Sequence, residues 1–211
     1  MLVYHYTAVG DSLTFGFGAM PGSGFVPLYR RMAEERLQQF VAHENMGING
    51  LTSEGLYERI VQNPAYRYHL QQAHIITISI GGNDLIRAVK TAGGRPDRES
   101  LDRALLRCQH YMSNTVKHIR NIKAGGGKAY FIRAVGLYNP YPASAEAAEY
   151  VSRFNRFLHS LSDVYFRIAD VNAAFAGKEK ELLSVDGLHP NGKGYRVIAE
   201  QLNRLGYKPL V

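Results

Sequence analysis

A chain of 211 residues with 45% hydrophobic and 20% charged side chains is long enough for one buried core and too apolar for the disordered or fibrous classes. Its single cysteine, Cys108, excludes an internal disulfide and fits a reducing compartment, and no run of about 18 apolar residues marks a spanning helix. The formal charge of +7 is scattered, without interleaved aromatics, so it reads as a solvated surface and not as a nucleic-acid-binding face.

The opening residues carry no basic region, long apolar stretch or cleavage site, so no signal peptide is read and the expected location is cytoplasmic. Residues 4–9 form a first strand that ends in glycine. The glycine-rich stretch 16–24 lacks the G-x-G-x-x-G spacing of a dinucleotide loop and reads as a loop flanking Ser12. A helical pattern over 25–38 precedes a weaker strand from Phe40 to Asn45, and a helix over 53–62 takes Ser53 as its N-cap. The strongest strand, 74–80, runs into Gly81-Gly82-Asn83-Asp84, where Asp84 is expected to cap the next helix. A long helix over 98–122 aligns Leu101, Leu105, Cys108, Met112, Ile119 and Ile122 on one apolar face, which makes Cys108 a buried structural thiol. Beyond the helix stop at Gly125-Gly126-Gly127 come a strand over 129–135, a helix over 144–161, a strand over 164–171 and a last helix over 193–205. Alternating strands and helices give an α/β chain with a parallel sheet covered on both faces, read as one domain over 1–211 with its functional groups at the carboxyl ends of strands.

Gly10-Asp11-Ser12-Leu13 lies at such an end, where a hydroxyl is exposed as the chain turns. A serine hydroxyl is a poor nucleophile near neutral pH until an imidazole takes its proton and a carboxylate fixes the imidazole's tautomer. Asp186-Gly187-Leu188-His189-Pro190 supplies both partners from one turn, with Asn191-Gly192 starting the final helix beyond it. The other seven of the eight histidines lack a carboxylate in a comparable loop. Acyl transfer also needs donors aimed at a developing oxyanion, and the segments around Gly50 and Asn83 offer a backbone N–H and a side-chain amide. No His/Cys/Asp/Glu group has metal spacing, so neither metal nor cofactor is expected.

These four blocks, Gly10 to Leu13, Asn45 to Gly50, Gly81 to Asp84 and Asp186 to His189, resemble in order those of the SGNH, or GDSL-type, serine hydrolases. The resemblance implies a flavodoxin-like three-layer α/β/α sandwich around a five-stranded parallel sheet. It implies Ser12 as nucleophile, Asp186 and His189 as the rest of the triad, and the Ser12 N–H, Gly50 and Asn83 as the oxyanion hole. Leu51 departs from the aspartate of many relatives. A closer likeness to the spore-germination lipase-like branch rests on the Tyr-Thr-Ala opening, Gly24-Phe25-Val26 and Leu137-Tyr138-Asn139-Pro140, and brings spore association as a further expectation.

Phe15, Phe17, Leu137, Tyr138 and Tyr141 fall in loops on the substrate side of such a sheet, where they read equally as a substrate wall or as ordinary aromatic connectors, and their apolar character leans the substrate towards lipid or short acyl esters. The expected partner is therefore a small-molecule or lipid ester met in solution or in transient contact with a lipid interface. Carbohydrate O-deacetylation and thioester cleavage use the same outline, and from another class a non-catalytic binding or coat protein retaining the fold is the rival.

Overall fold

A computed structural model of the protein describes residues 3–93 and 97–211. In chain order the elements are β1 (Val3–Gly10), α1 (Ser12–Phe15), α2 (Phe25–Leu37), β2 (Phe40–Gly47), α3 (Ser53–Gln62), α4 (Pro64–Gln72), β3 (Ile75–Ser79) and α5 (Gly82–Thr91). There follow α6 (Arg98–Ala124), β4 (Phe131–Val135), α7 (Ala145–Ser160), β5 (Phe166–Ala169), α8 (Asn172–Phe175), α9 (Glu179–Leu182) and α10 (Gly192–Arg204). The five strands form one parallel sheet in the order β2-β1-β3-β4-β5. None of the described helices is long and apolar enough to cross a membrane.

Strands β3 and β4 are buried at every position, as parallel strands covered on both faces must be. On one face Tyr4, Tyr6 and Ala8 of β1 meet Phe25, Tyr29 and Ala33 of α2 and Tyr195, Ile198 and Leu202 of α10. On the other, Val9, Ile76, Ile78 and Ile132 meet Leu56, Leu70, Cys108, Met112, Phe154 and Leu158 from α3, α4, α6 and α7. The three-layer sandwich expected from the family resemblance is thus the fold observed. Cys108 is an interior thiol, pushed up in pKa by burial.

The observed ends differ from the sequence reading by a few residues, and three caps or helices differ in substance. Thr52, not Ser53, caps α3, because its hydroxyl accepts from the Gly55 N–H. The chain restarts as α4 at once: Asn63 closes α3 and caps α4, and Pro64 at the first helical position needs no donor. Asp84 does not cap α5, which begins at Gly82; its carboxylate turns away to α3 instead.

At the carboxyl edge, Gly10 pairs with Gly47 on one side and Ser79 on the other, so β1, β2 and β3 finish level. Gly10 has φ +148°, and a Cβ there would lie 2.2 Å from the Ser79 carbonyl oxygen. Only glycine permits this crossing, which aims the next residues out of the sheet.

Candidate active site

Ser12 leaves that edge as the first residue of α1, with Asp11 as its cap. The Asp11 N–H donates to the Ser79 carbonyl at 3.0 Å. The Asp11 carboxylate accepts from the Leu13 N–H at 3.0 Å and from the Ser79 hydroxyl at 2.9 Å. Thr14 adds a 2.6 Å contact to the same hydroxyl, so the turn bearing Ser12 is fastened to the end of β3. Burial raises the Asp11 carboxyl to about 6, against the opposing pull of its hydrogen bonds and of His189. From α10, the Tyr195 hydroxyl donates to the Phe17 carbonyl at 2.7 Å.

The loop between α9 and α10 brings His189 to Ser12. Its Nε2 lies 2.9 Å from the Ser12 Oγ and its Nδ1 lies 2.6 Å from Oδ2 of Asp186. With Nδ1–H donating to the carboxylate, Nε2 is left as the acceptor of the serine proton. The other carboxylate oxygen, Oδ1, accepts from the Ser184 hydroxyl at 2.7 Å and from the Leu188 and His189 N–H groups, each at 2.9 Å. Burial acts to raise the Asp186 carboxyl, but the donors from His189, Leu188 and Ser184 outweigh it and hold the group well below the usual carboxylate range. Asn191 closes the loop by donating to the Leu183 carbonyl at 2.9 Å and accepting from the first N–H groups of α10.

Gly50 and Asn83 line the same cavity as Ser12 and His189. Gly50 has φ +74° with open space where a Cβ would stand. Asn83 uses one amide proton on the Leu51 carbonyl at 3.0 Å, which leaves the second available. Neither the Ser12 N–H nor the Gly50 N–H has an acceptor among the described residues. All three of these residues line the cavity and thus carry N–H groups with no acceptor among the described residues. Leu51 itself turns into the core, only 8% exposed, and is not among the residues that line the cavity.

The cavity measures about 620 Å³ and extends from Ser12 between α5 and α7. Leu85, Ile86 and Val89 of α5 form one wall, facing Leu137, Tyr150 and Val151. No residue of α5 is fully buried: Leu85 and Val89 pack partly against the core and also border the cavity. Phe17 covers the mouth with its ring 4.7 Å from the His189 ring, and Tyr141 stands half-exposed across it.

Two of the aromatic expectations change. Phe15 does not line the cavity: it ends α1 on the outer side, exposed, where its backbone runs against Gly47. Tyr138 lines it but is 8% exposed, stacked on Phe175 with ring centroids 4.4 Å apart, and its hydroxyl donates to the Leu188 carbonyl at 2.6 Å. It is a buttress for the His189 loop more than an open wall. The α5 wall was not foreseen, although Leu85, Ile86 and Val89 stand at helical spacing and their stripe was readable.

Residues 8–197 match the GDSL-like lipase/acylhydrolase family. The chain belongs to that family. It is an enzyme of the lipase and esterase class, as the order of its four blocks implied. A curated relative, the spore germination lipase LipC of Bacillus licheniformis, is 36% identical over 209 residues, which is 98% of each chain. Among solved structures, the lipase Lip_vut3 from a goat rumen metagenome superposes with a TM-score of 0.93 at 35% identity, covering 99% of this chain and 100% of that one. The acetylxylan esterase Axe2 of Geobacillus stearothermophilus shares the fold, with a TM-score of 0.69 at 18% identity over 95% of this GDSL-family chain and 93% of its own.

Proposed function

We propose that the protein, as one hydrolase unit over residues 1–211, cleaves carboxylic esters of apolar acyl chains through an acyl-enzyme intermediate on Ser12. The observation that carries this reading is the relay of 2.9 Å from Ser12 Oγ to His189 Nε2 and 2.6 Å from His189 Nδ1 to Asp186. Ser12 Oγ attacks the ester carbonyl carbon as its proton passes to Nε2, and the charge that develops on the carbonyl oxygen meets the Ser12 and Gly50 N–H groups and the free Asn83 amide proton. Collapse expels the alcohol with the proton from His189. Water then attacks the acyl-serine by the same route, returning Ser12 with its proton and releasing the acid. Asp186 keeps the imidazole in the working tautomer and stabilises its charged form without taking a proton.

The apolar wall from α5 supports an acyl chain in preference to a sugar, since a sugar's hydroxyls would be left without partners there. The full-length likeness to a spore germination lipase supports the same substrate class, and with it a spore-associated setting in place of a purely cytoplasmic one. Reaction with a fluorophosphonate tests the catalytic claim: the wild type is expected to be labelled on Ser12, and failure of labelling would favour a non-catalytic binding protein. A series of nitrophenyl esters run beside an acetylated xylooligosaccharide and an acyl thioester tests the substrate. Faster turnover of the sugar or thioester would replace the lipid-ester reading.

A further inference from the structure

Gly50 is held in place by nothing that its own side chain touches, since it has none and the space beside its Cα is open. Its position is set by what grips the next three residues, and the grip comes from the first turns of α5. Asn83 donates to the Leu51 carbonyl at 3.0 Å, and Arg87 donates to the Gly50 carbonyl at 2.9 Å. Asp84 makes the densest contact. Its Oδ2 accepts from the Ser53 N–H at 3.0 Å, and its Oδ1 accepts from the Ser53 hydroxyl at 2.6 Å and from the same N–H at 3.3 Å. Asp84 is absent from the cavity lining, so it meets no substrate.

We infer that Asp84, acting through Ser53, is a positioning residue that locks the Gly50 N–H and the Asn83 amide into one unit aimed at a single oxygen. The inference rests on the proposed hydrolytic role of this site. The chemistry follows from where charge appears. Two donors on separate elements help a tetrahedral intermediate only if their spacing is fixed before the charge develops, because reorientation at that moment would cost part of the stabilisation. A carboxylate receiving two donors from Ser53 is stiffer than the neutral Asn83 contact beside it and, unlike the single bond from the exposed Arg87, holds both a backbone and a side-chain group. Release of that contact frees the Gly50 segment while leaving Asn83 on its helix, so the donors part. Ground-state binding in the apolar cavity does not depend on the link.

The test uses the full chain and three variants, Asp84→Asn, Ser53→Ala and Ser53→Thr. Sites are counted by fluorophosphonate titration so that any unfolded fraction drops out, and kcat and KM for a nitrophenyl butyrate are expressed per reactive site. Affinity for a trifluoromethyl ketone, whose adduct with serine carries an oxyanion, is measured in parallel. For Asp84→Asn, kcat is expected to fall about 10- to 100-fold with KM within about threefold, and ketone affinity to fall with kcat. Ser53→Ala follows in the same direction, and Ser53→Thr, which keeps the hydroxyl, restores most of the rate. An unchanged kcat per site with unchanged ketone binding would overturn the inference and leave Asp84 as a tie between helices. A rise in KM alone would overturn it too. A wild type that is neither labelled nor active would remove the hydrolase reading itself, which separates that failure from this one.

Discussion

Replacing Val89 by aspartate tests whether the α5 wall holds the acyl chain. Val89 lines the cavity with Leu85 and Ile86 and is partly buried, with one side packed against the core. Stability is accordingly expected to fall by about 1–2 kcal/mol, the range of ordinary destabilising substitutions, and the same fall applies to every ester tested. Lengthening the acyl group from acetate to hexanoate adds four methylenes, worth about 3 kcal/mol if fully buried and realised in the transition state, or about 200-fold in kcat/KM. The cleft mouth is half open, with Phe17 45% and Tyr141 52% exposed. Half that burial leaves about 1.5 kcal/mol, a gradient of about tenfold for the wild type. A carboxylate in the wall either loses water against the chain or keeps it and drives the chain out, so Val89→Asp is expected to remove most of the gradient and to alter acetate turnover less than about twofold. The assay is kcat/KM for nitrophenyl esters from acetate to octanoate, with thermal unfolding alongside. Equal losses for every chain length, or a gradient that survives intact, would refute the assignment of α5 as the acyl wall.

Ser12→Ala and His189→Ala are each expected to remove nearly all esterase activity, with the double variant little worse than either; additive losses would show that they do not act as a unit. Asn83→Ala should lower kcat by about 10²–10³ with a smaller change in KM, and loss of affinity alone would make Asn83 a binding residue. Asp11→Asn addresses stability. Since the folded carboxyl is raised to about 6 from an unfolded value near 4, wild-type stability from this group is present at low pH and lost as pH rises through that window. The amide keeps an acceptor for Leu13 and Ser79, so the variant should gain about 2–3 kcal/mol relative to wild type at pH 8 and little at pH 4, read by denaturant melts. A difference independent of pH would contradict this account of the Asp11 environment.

The alternation of strand and helix, and the cluster of motifs at strand ends, were legible because both depend on local spacing. Every strand read from the sequence is present, since buried parallel strands show as short apolar runs. What stayed hidden depended on partners far along the chain. Asp84 follows a strand-end glycine pair and so resembles a cap, yet its acceptors serve Ser53, 31 residues earlier. Helix α4 was obscured because Asn63-Pro64, a helix-stopping pair on sequence grounds, here ends one helix and begins another. Arg133 lies buried in the middle of β4, and nothing in Phe-Ile-Arg-Ala-Val announces it; one guanidinium nitrogen donates to the carbonyls of Gly206 and Lys208, while its Nε has no partner among the described residues. At the site, Ser12, His189 and Asp186 were legible as a set because the proposed chemistry demands particular residue types, and the structure brings the three within hydrogen-bond reach. Phe15 and Tyr138 were read only by neighbourhood, and apolar character does not tell which way a loop aromatic turns.

The reach between Ser12 and His189 bears on how the chain acquires activity during its synthesis. The two residues are 177 positions apart, and they meet only when the loop after α9 docks beside the turn that follows β1. A nascent chain carries its serine from the outset as an unactivated alcohol. Under the proposed mechanism, every intermediate up to emergence of the last loop is expected to be silent toward esters. Such long-range closure slows folding. Recovery of ester cleavage during refolding would therefore lag behind recovery of helix signal, and turnover would serve as a clock for the last docking event.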